Sequence, residues 1–538
     1  MHMPRISRRV LVPGLLGLLA GCSGGGADAP MVVGDPEPGG TAIVAVEQDF
    51  QVFNPITNTA LITSEVMNFM LFTPLIQFDE NFEAVPALAE SWDLEETGVT
   101  FHLRDDVTWH DGQPVTADDV LFTFETAKNP EAASLLESAF LTMVESAEVI
   151  DPQTIRFDFV APHSQPMQAF WWPPIPRHIL GDTPVGQLSQ APYNRDPVGN
   201  GPFRFASWES GTQVVVEAND EYPEELGGRP LLDRVVFRVV PEATTRLTEI
   251  LTGATDLNYS VLPDEAQQVE GQTGVQLIHY PGRQFVYMGL NNEREPFSDP
   301  LVRRAVATGI DRQALIDALL FGYAEIATGM IPPWSPVAPD IEPLPYDPEG
   351  ARALLQEAGY TPGPDGIMQR DGQPLRFTLL TSEDRLRQDL TVVLQQQLRQ
   401  IGATVDVRAI EFQTMLQQHR ARDYDAVLSS WILDTFRVDP NPLFSCEEAQ
   451  TPESANRAGY CNPQADSLAA AGLRTIDDDE ARQTWTLFSE ILQEDQPIVI
   501  LFWQEQLSAI SQRLQGVEMD VRGKLITAQE WWIPAGQR

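Results

Sequence analysis

The chain has 538 residues, enough for two large lobes or about three smaller units. Hydrophobic residues make up 43% and charged residues 21%, a globular balance that excludes a disordered or collagen-like chain. The net charge is −42, Lys128 and Lys524 are the only lysines and there is no basic stripe, which excludes a nucleic-acid surface because phosphates are repelled.

The chain opens with a targeting segment. Arg5, Arg8 and Arg9 precede an apolar run over 10–20 that Pro13, Gly14 and Gly17 interrupt. As a helix this run rises about 16 Å, too short for a hydrocarbon core of roughly 30 Å. Leu19-Ala20-Gly21-Cys22 follows directly and resembles the lipobox of bacterial lipoproteins, whose small residues fit the signal peptidase and whose cysteine takes the lipid. The expectation is a signal peptide over 1–21, lipid on Cys22, and a flexible tether over 22–40 rich in Gly, Pro and Ala. Residues 21–25 also match the G-x-S-x-G elbow of hydrolases, but that motif needs a strand before it and a helix after it.

Past residue 40, strand-like runs rich in Val, Ile and Phe occur at 41–46, 99–103, 154–160, 213–217, 235–240, 285–290, 375–380, 404–407, 425–430 and 498–502. Thr116 and Asp119 start a helix in the manner of a capping box. Asp299 with Pro300 opens a helix over 301–310, and Asp347 with Pro348 opens one over 349–358 that Gly359 closes. Residues 383–401 form a long amphipathic helix. The mixed order predicts an α/β fold with mixed sheets. Trp109-His110-Asp111-Gly112 holds an acid beside a histidine, but Asp-Gly fits a turn ahead of the capped helix. Cys446 and Cys461 are an even pair in an exported chain, so a disulfide is expected, stabilising by roughly 3 kcal/mol in the chain-entropy model. No metal site and no cofactor is expected.

Several segments are more specific. Residues 87–92 (Ala-Leu-Ala-Glu-Ser-Trp) lead into 99–104, then Trp109–Gly112 and 116–120. Residues 197–203, 287–292, 301–305, 310–312, 331–333 and 346–348 follow. This order resembles the bacterial extracellular solute-binding family 5, which holds the periplasmic dipeptide- and oligopeptide-binding proteins of ABC transporters. The resemblance implies a two-lobed periplasmic-binding-protein fold, hinged between lobes, with an extra subdomain in the first. By this likeness lobe one covers 41–296, with the subdomain at about 77–196. Lobe two covers 297–506, and 507–538 returns to lobe one. The crossings fall near Asn291 and Trp503.

In the peptide-binding members a Trp-x-x-Asp after a strand contacts the peptide, its Asp pairing with the α-ammonium group. Trp431 and Asp434 match it, and the intervening Ile432 and Leu433 depart from the small or turn-forming residues common there. Arg385 and Arg437 are candidates for the peptide carboxylate; the other reading of each is a solvated charge. The function implied is a monomeric, non-enzymatic lipoprotein, periplasmic or at the cell surface, that delivers short peptides to ABC permease subunits. Two alternatives stay open at this point: the same fold holding an oligosaccharide, nickel complex or haem, with Trp171 and Trp172 as a sugar platform, and, more distantly, a hydrolase.

Overall fold

The computed structural model describes residues 34–433, 436 and 438–538. Cys22, Asp434 and Arg437 lie outside them. Among the described residues, eleven strands form one mixed sheet. One half is built around Thr41–Val46, parallel to Arg234–Val239 and to Leu257–Asn258, and continues through Gln213–Ala218 to Phe203–Glu209. The other half sets Arg376–Ser382 parallel to both Thr404–Ile410 and Ala426–Ile432.

Two long antiparallel strands join the halves. Val275–Leu290 pairs with Ile498–Ser511 from Val275 against Ser511 to Gly289 against Ile498. The first-lobe strand Leu257–Asn258 flanks one end of this ladder and Ala426–Ile432 flanks the other. Sequence periodicity reached only the second-lobe part of each, 285–290 and 498–502. The reason is local: the ladder slips between Pro281 and Gln284, opposite Gln504 and Glu505. Proline has no N–H to donate to a ladder. A Cβ on Gly282 would fall 2.3 Å from the Gln504 carbonyl oxygen, so glycine alone permits this approach.

Separate hydrophobic cores define the lobes. Ala42, Val44, Val235 and Phe237 pack with Leu525, Trp531 and Ile533 from the chain's end. Val302, Leu355, Leu379, Leu394 and Leu428 form a second core, and Phe285, Trp485, Phe488 and Trp503 a third on the same lobe. The architecture is two-lobed α/β. A four-stranded antiparallel sheet, in the order Ala89–Glu95, Gly98–Leu103, Thr154–Phe159, Val144–Asp151, stands apart from the main sheet.

Helix punctuation follows the acids and prolines. Asp299 accepts the Leu301 N–H at 3.0 Å at the head of Pro300–Thr308, and Asp347 accepts the Gly350 N–H at 2.8 Å at the head of Pro348–Glu357. Ahead of Ala117–Lys128, the Asp119 carboxylate takes the N–H groups of Thr116 (3.0 Å) and Arg177 (2.9 Å). The turn over 109–112 feeds this helix, with Gly112 at φ +88°. His110 is held against the Gly201 carbonyl at 3.0 Å, and burial pushes its pKa down to about 4. His419 is pushed down to about 3 by burial and by the Arg457 charge.

Both imidazoles are therefore neutral in the fold. An unfolded imidazole takes a proton below about pH 6.5, whereas these do not until far lower. Each thus removes stability as pH falls from about 6.5 toward the folded value and none above it. Nitrogen-detected NMR of the histidine rings should find His110 and His419 neutral down to pH 5; protonation of either ring near pH 6.5 would contradict the burial argument.

Candidate ligand-binding site

The bulge at Pro281–Gln284 sets up the region between the lobes. Gln284 pairs with Ile432, and the Arg283 carbonyl accepts the Leu433 N–H at 2.9 Å. The end of Ala426–Ile432 is thereby tied to the point where the long ladder breaks. Facing it from the first lobe is the short helix Leu61–Val66, which runs into a π-helical turn, Met67–Leu71. The Phe72 N–H reaches back five residues to the Met67 carbonyl at 2.8 Å. Such wide turns recur at functional sites because they re-aim side chains that a regular helix would bury elsewhere.

Between these elements lie two adjoining chambers of about 300 Å³ and 220 Å³. Leu61, Glu65, Arg283 and Ile432 border both. The larger is walled by Phe69, Leu135, Trp171 and Trp172, and the smaller by Glu47, Tyr280, Asp520 and Lys524. Cavities at lobe boundaries with a few convergent polar groups are where small ligands bind. A depression of about 490 Å³ around Thr116, Asp119 and Arg177 is wider, but it lies on the surface of one lobe, and Asp119 there is engaged in the helix start.

The floor of the cleft carries charged groups that are mostly buried. Glu65 is 7% exposed, and its Oε2 accepts the Lys524 backbone N–H at 2.8 Å. Burial raises its pKa, opposed by the charges of Lys524 and Arg283. The Lys524 ammonium donates to the Tyr259 carbonyl at 2.6 Å and sits 4.3 Å over the Tyr259 ring. Burial pulls it down to about 8, with Glu65 and Glu47 holding it up. Arg522 donates to the Phe78 carbonyl at 2.9 Å and is paired with Asp520.

The lobes touch across the cleft mouth. Phe82, in the tight connection between the strands Ile76–Phe78 and Ala84–Pro86, stacks on Trp334 at 5.4 Å and meets Phe436 at 5.1 Å. Trp171 meets the other side of Phe436, also at 5.1 Å. A backbone bond from Ser164 to Leu473, 2.9 Å, makes a second crossing.

The sequence-predicted residues are placed unevenly. Trp431 is half-buried against the second-lobe core of Phe285 and Trp503, while its neighbours Ile432 and Leu433 line the larger chamber. Arg385 has its side chain 85% exposed on the first turn of Arg385–Gln400, 3.9 Å from Asp389, and borders neither chamber. Two residues on, Arg387 turns inward and donates to Ser430 Oγ at 3.0 Å. Asp434 and Arg437 fall outside the described residues, as does Cys22. Cys446 and Cys461 are bonded. Trp171 and Trp172 are nearly buried, their indole N–H groups given to Gln77 (2.9 Å) and the Ala169 carbonyl (2.7 Å). Glu65, Arg283 and Lys524 were missed. A Pro-Gly-Arg break inside a strand-like run and one of only two lysines were the signals available.

Residues 83–450 match the bacterial extracellular solute-binding proteins, family 5 Middle. The chain belongs to that family. Membership makes it an exported solute-binding protein rather than an enzyme. Among curated relatives, the oligopeptide-binding protein AppA of Bacillus subtilis (strain 168) is 29% identical over 534 residues, covering 96% of each chain. The glutathione-binding protein GsiB of Salmonella typhimurium (strain LT2) is 28% identical over 492 residues, covering 88% of this chain and 91% of its own. The solved structure of Bacillus subtilis AppA in complex with a nonapeptide superposes with a TM-score of 0.77 at 27% identity, covering 93% of this chain and all of that one.

Within this family member, the Glu65 carboxylate holds up the Lys524 pKa. Glu65→Gln keeps the acceptor and removes the charge, so it should lower that pKa further below about 8. With two lysines in the chain, carbon-13 lysine labelling resolves the titration directly, Lys128 serving as the internal control. A Lys524 signal titrating near its ordinary 10.5 in the parent protein would contradict the burial.

Proposed function

We propose that the protein is a lipid-anchored receptor that captures short peptides between its lobes and delivers them to the permease subunits of an ABC importer. One observation carries the peptide reading. The described charged residues around the two chambers are three acids, Glu47, Glu65 and Asp520, and three cations, Arg283, Arg522 and Lys524. A balanced floor suits a ligand that carries both an ammonium and a carboxylate. An uncharged sugar would make no use of the charges that face the chambers. AppA and GsiB, which bind an oligopeptide and glutathione by name, support the same reading.

Asp434, one residue past the chamber-lining Leu433, is the proposed partner of the ligand's ammonium group. A charge-assisted bond in a closed cleft is strong, and losing it strands a cation. Asp434→Asn should weaken binding of a free peptide by about tenfold to a few hundredfold, each tenfold being roughly 1.4 kcal/mol. N-acetylated peptides should bind the parent poorly, and the variant should hardly distinguish acetylated from free. Calorimetry on the four combinations cancels general damage to the fold. Equal binding of acetylated and free peptides by the parent would overturn the pairing. Trp431 is proposed to act by holding the strand end that carries Ile432 and Leu433.

The anchor is tested separately. Mass spectrometry of protein extracted from membranes should find a diacylglyceryl group on Cys22 and nothing N-terminal to it. An intact residue 1 in the mature protein would refute both the processing and the anchor.

A further inference from the structure

Three of the large apolar side chains left open to solvent converge on the cleft. Leu61 is 49% exposed, Leu135 is 53% and Ile432 is 48%. All three border the larger chamber, and they come from three separate parts of the chain. Elsewhere a single exposed leucine carries no meaning. Three around one concave space leave apolar surface in contact with water that a ligand can displace.

The wall beside them is rigid. Trp171 is 6% exposed, fixed by its bond to Gln77 and packed against Phe436 on one side and Phe69 on another, 6.1 Å between ring centroids. Polarity is divided along the cleft. Glu47, Asp520 and Lys524 border only the smaller chamber, Glu65 and Arg283 stand at the boundary between the two, and Arg522 is, among the described residues, the one charged residue that borders only the larger, its guanidinium paired with Asp520.

We infer that the larger chamber is a selectivity pocket for one bulky apolar side chain of the ligand, formed by Leu61, Phe69, Leu135, Trp171 and Ile432. The inference rests on the peptide reading and narrows it: the preferred ligands are short peptides that carry a leucine-, methionine- or phenylalanine-like residue, with their charged backbone end toward Glu65, Arg283 and Lys524. An acidic side chain is disfavoured against the apolar surface of Leu61, Leu135 and Ile432, where a carboxylate would lose water, and Arg522, the described cation that borders the larger chamber alone, is already paired with Asp520.

The test uses the full mature protein and five tripeptide probes: trialanine, the three positional isomers that replace one alanine by phenylalanine, and Ala-Asp-Ala. At least one phenylalanine isomer should bind about tenfold or more tighter than trialanine, in line with what apolar pockets discriminate, and Ala-Asp-Ala should bind no better than trialanine. Ile432→Ser and Leu61→Ser, both at exposed positions and each checked by its thermal midpoint, should lower affinity for the favoured phenylalanine isomer several-fold more than for trialanine. Tripeptides that bind with no preference for phenylalanine at any position would overturn the pocket and leave the peptide reading standing. A preference that survives both serine variants undiminished would also overturn it. Failure of all five probes to bind would defeat the peptide reading, and the pocket with it.

Discussion

The pairing of Val275–Leu290 with Ile498–Ser511, and its slip at Pro281–Gln284, governs the rest of the molecule. Through this ladder both lobes share a single sheet, so their relative position is fixed by backbone hydrogen bonds rather than by a loose linker. The break at Pro281 and Gly282 is the point at which the ladder can bend. The same break turns Arg283 toward the cleft and anchors Leu433 through the Arg283 carbonyl. Arg283, beside the break, thus borders both chambers.

Electrostatics inside and outside the cleft run in opposite senses. The chain as a whole carries −42, yet the chamber linings balance acids with cations, and one of the two lysines is spent on a position that is 5% exposed. A buried ammonium is tolerated only where carbonyl, ring and carboxylate all face it, and Lys524 has each of these. The contrast separates two tasks. The acidic exterior serves solubility, whereas the cleft offers matched charges at short range, where screening by salt is weakest.

Much of the fold was legible because its signals are local. The acid-proline starts at Asp299 and Asp347 and the strand at Thr41–Val46 stand where spacing and residue type put them. What the sequence hid was long-range. The two central strands read short, because Pro281 and Gly282 look like a terminus in one and the polar Gln504-Glu505-Gln506 ends the apolar run in the other. The site divides the same way. The resemblance to family members pointed to Trp431 and Asp434, and the residues between them, Ile432 and Leu433, border a chamber. Glu65 sits in an unremarkable polar-apolar run, and nothing near it announces that Lys524, 459 residues away, donates to its carboxylate. Spacing alone could not tell Arg385 from its neighbour: a helix start places successive side chains about 100° apart, so a two-residue difference separates the exposed Arg385 from the inward Arg387.

The placement of the chain's end in the first lobe has a consequence for timing. Leu525, Trp531 and Ile533 belong to the same core as Ala42, Val44 and Phe237. The lobe made first on the ribosome is therefore the lobe completed last, since its interior stays open until the final stretch of polypeptide has emerged. The second lobe, contiguous in sequence, has no such wait. Contacts spanning nearly the whole chain are slow to form. A leading lobe whose last core residues are made so late stays uncompacted for longer than the second.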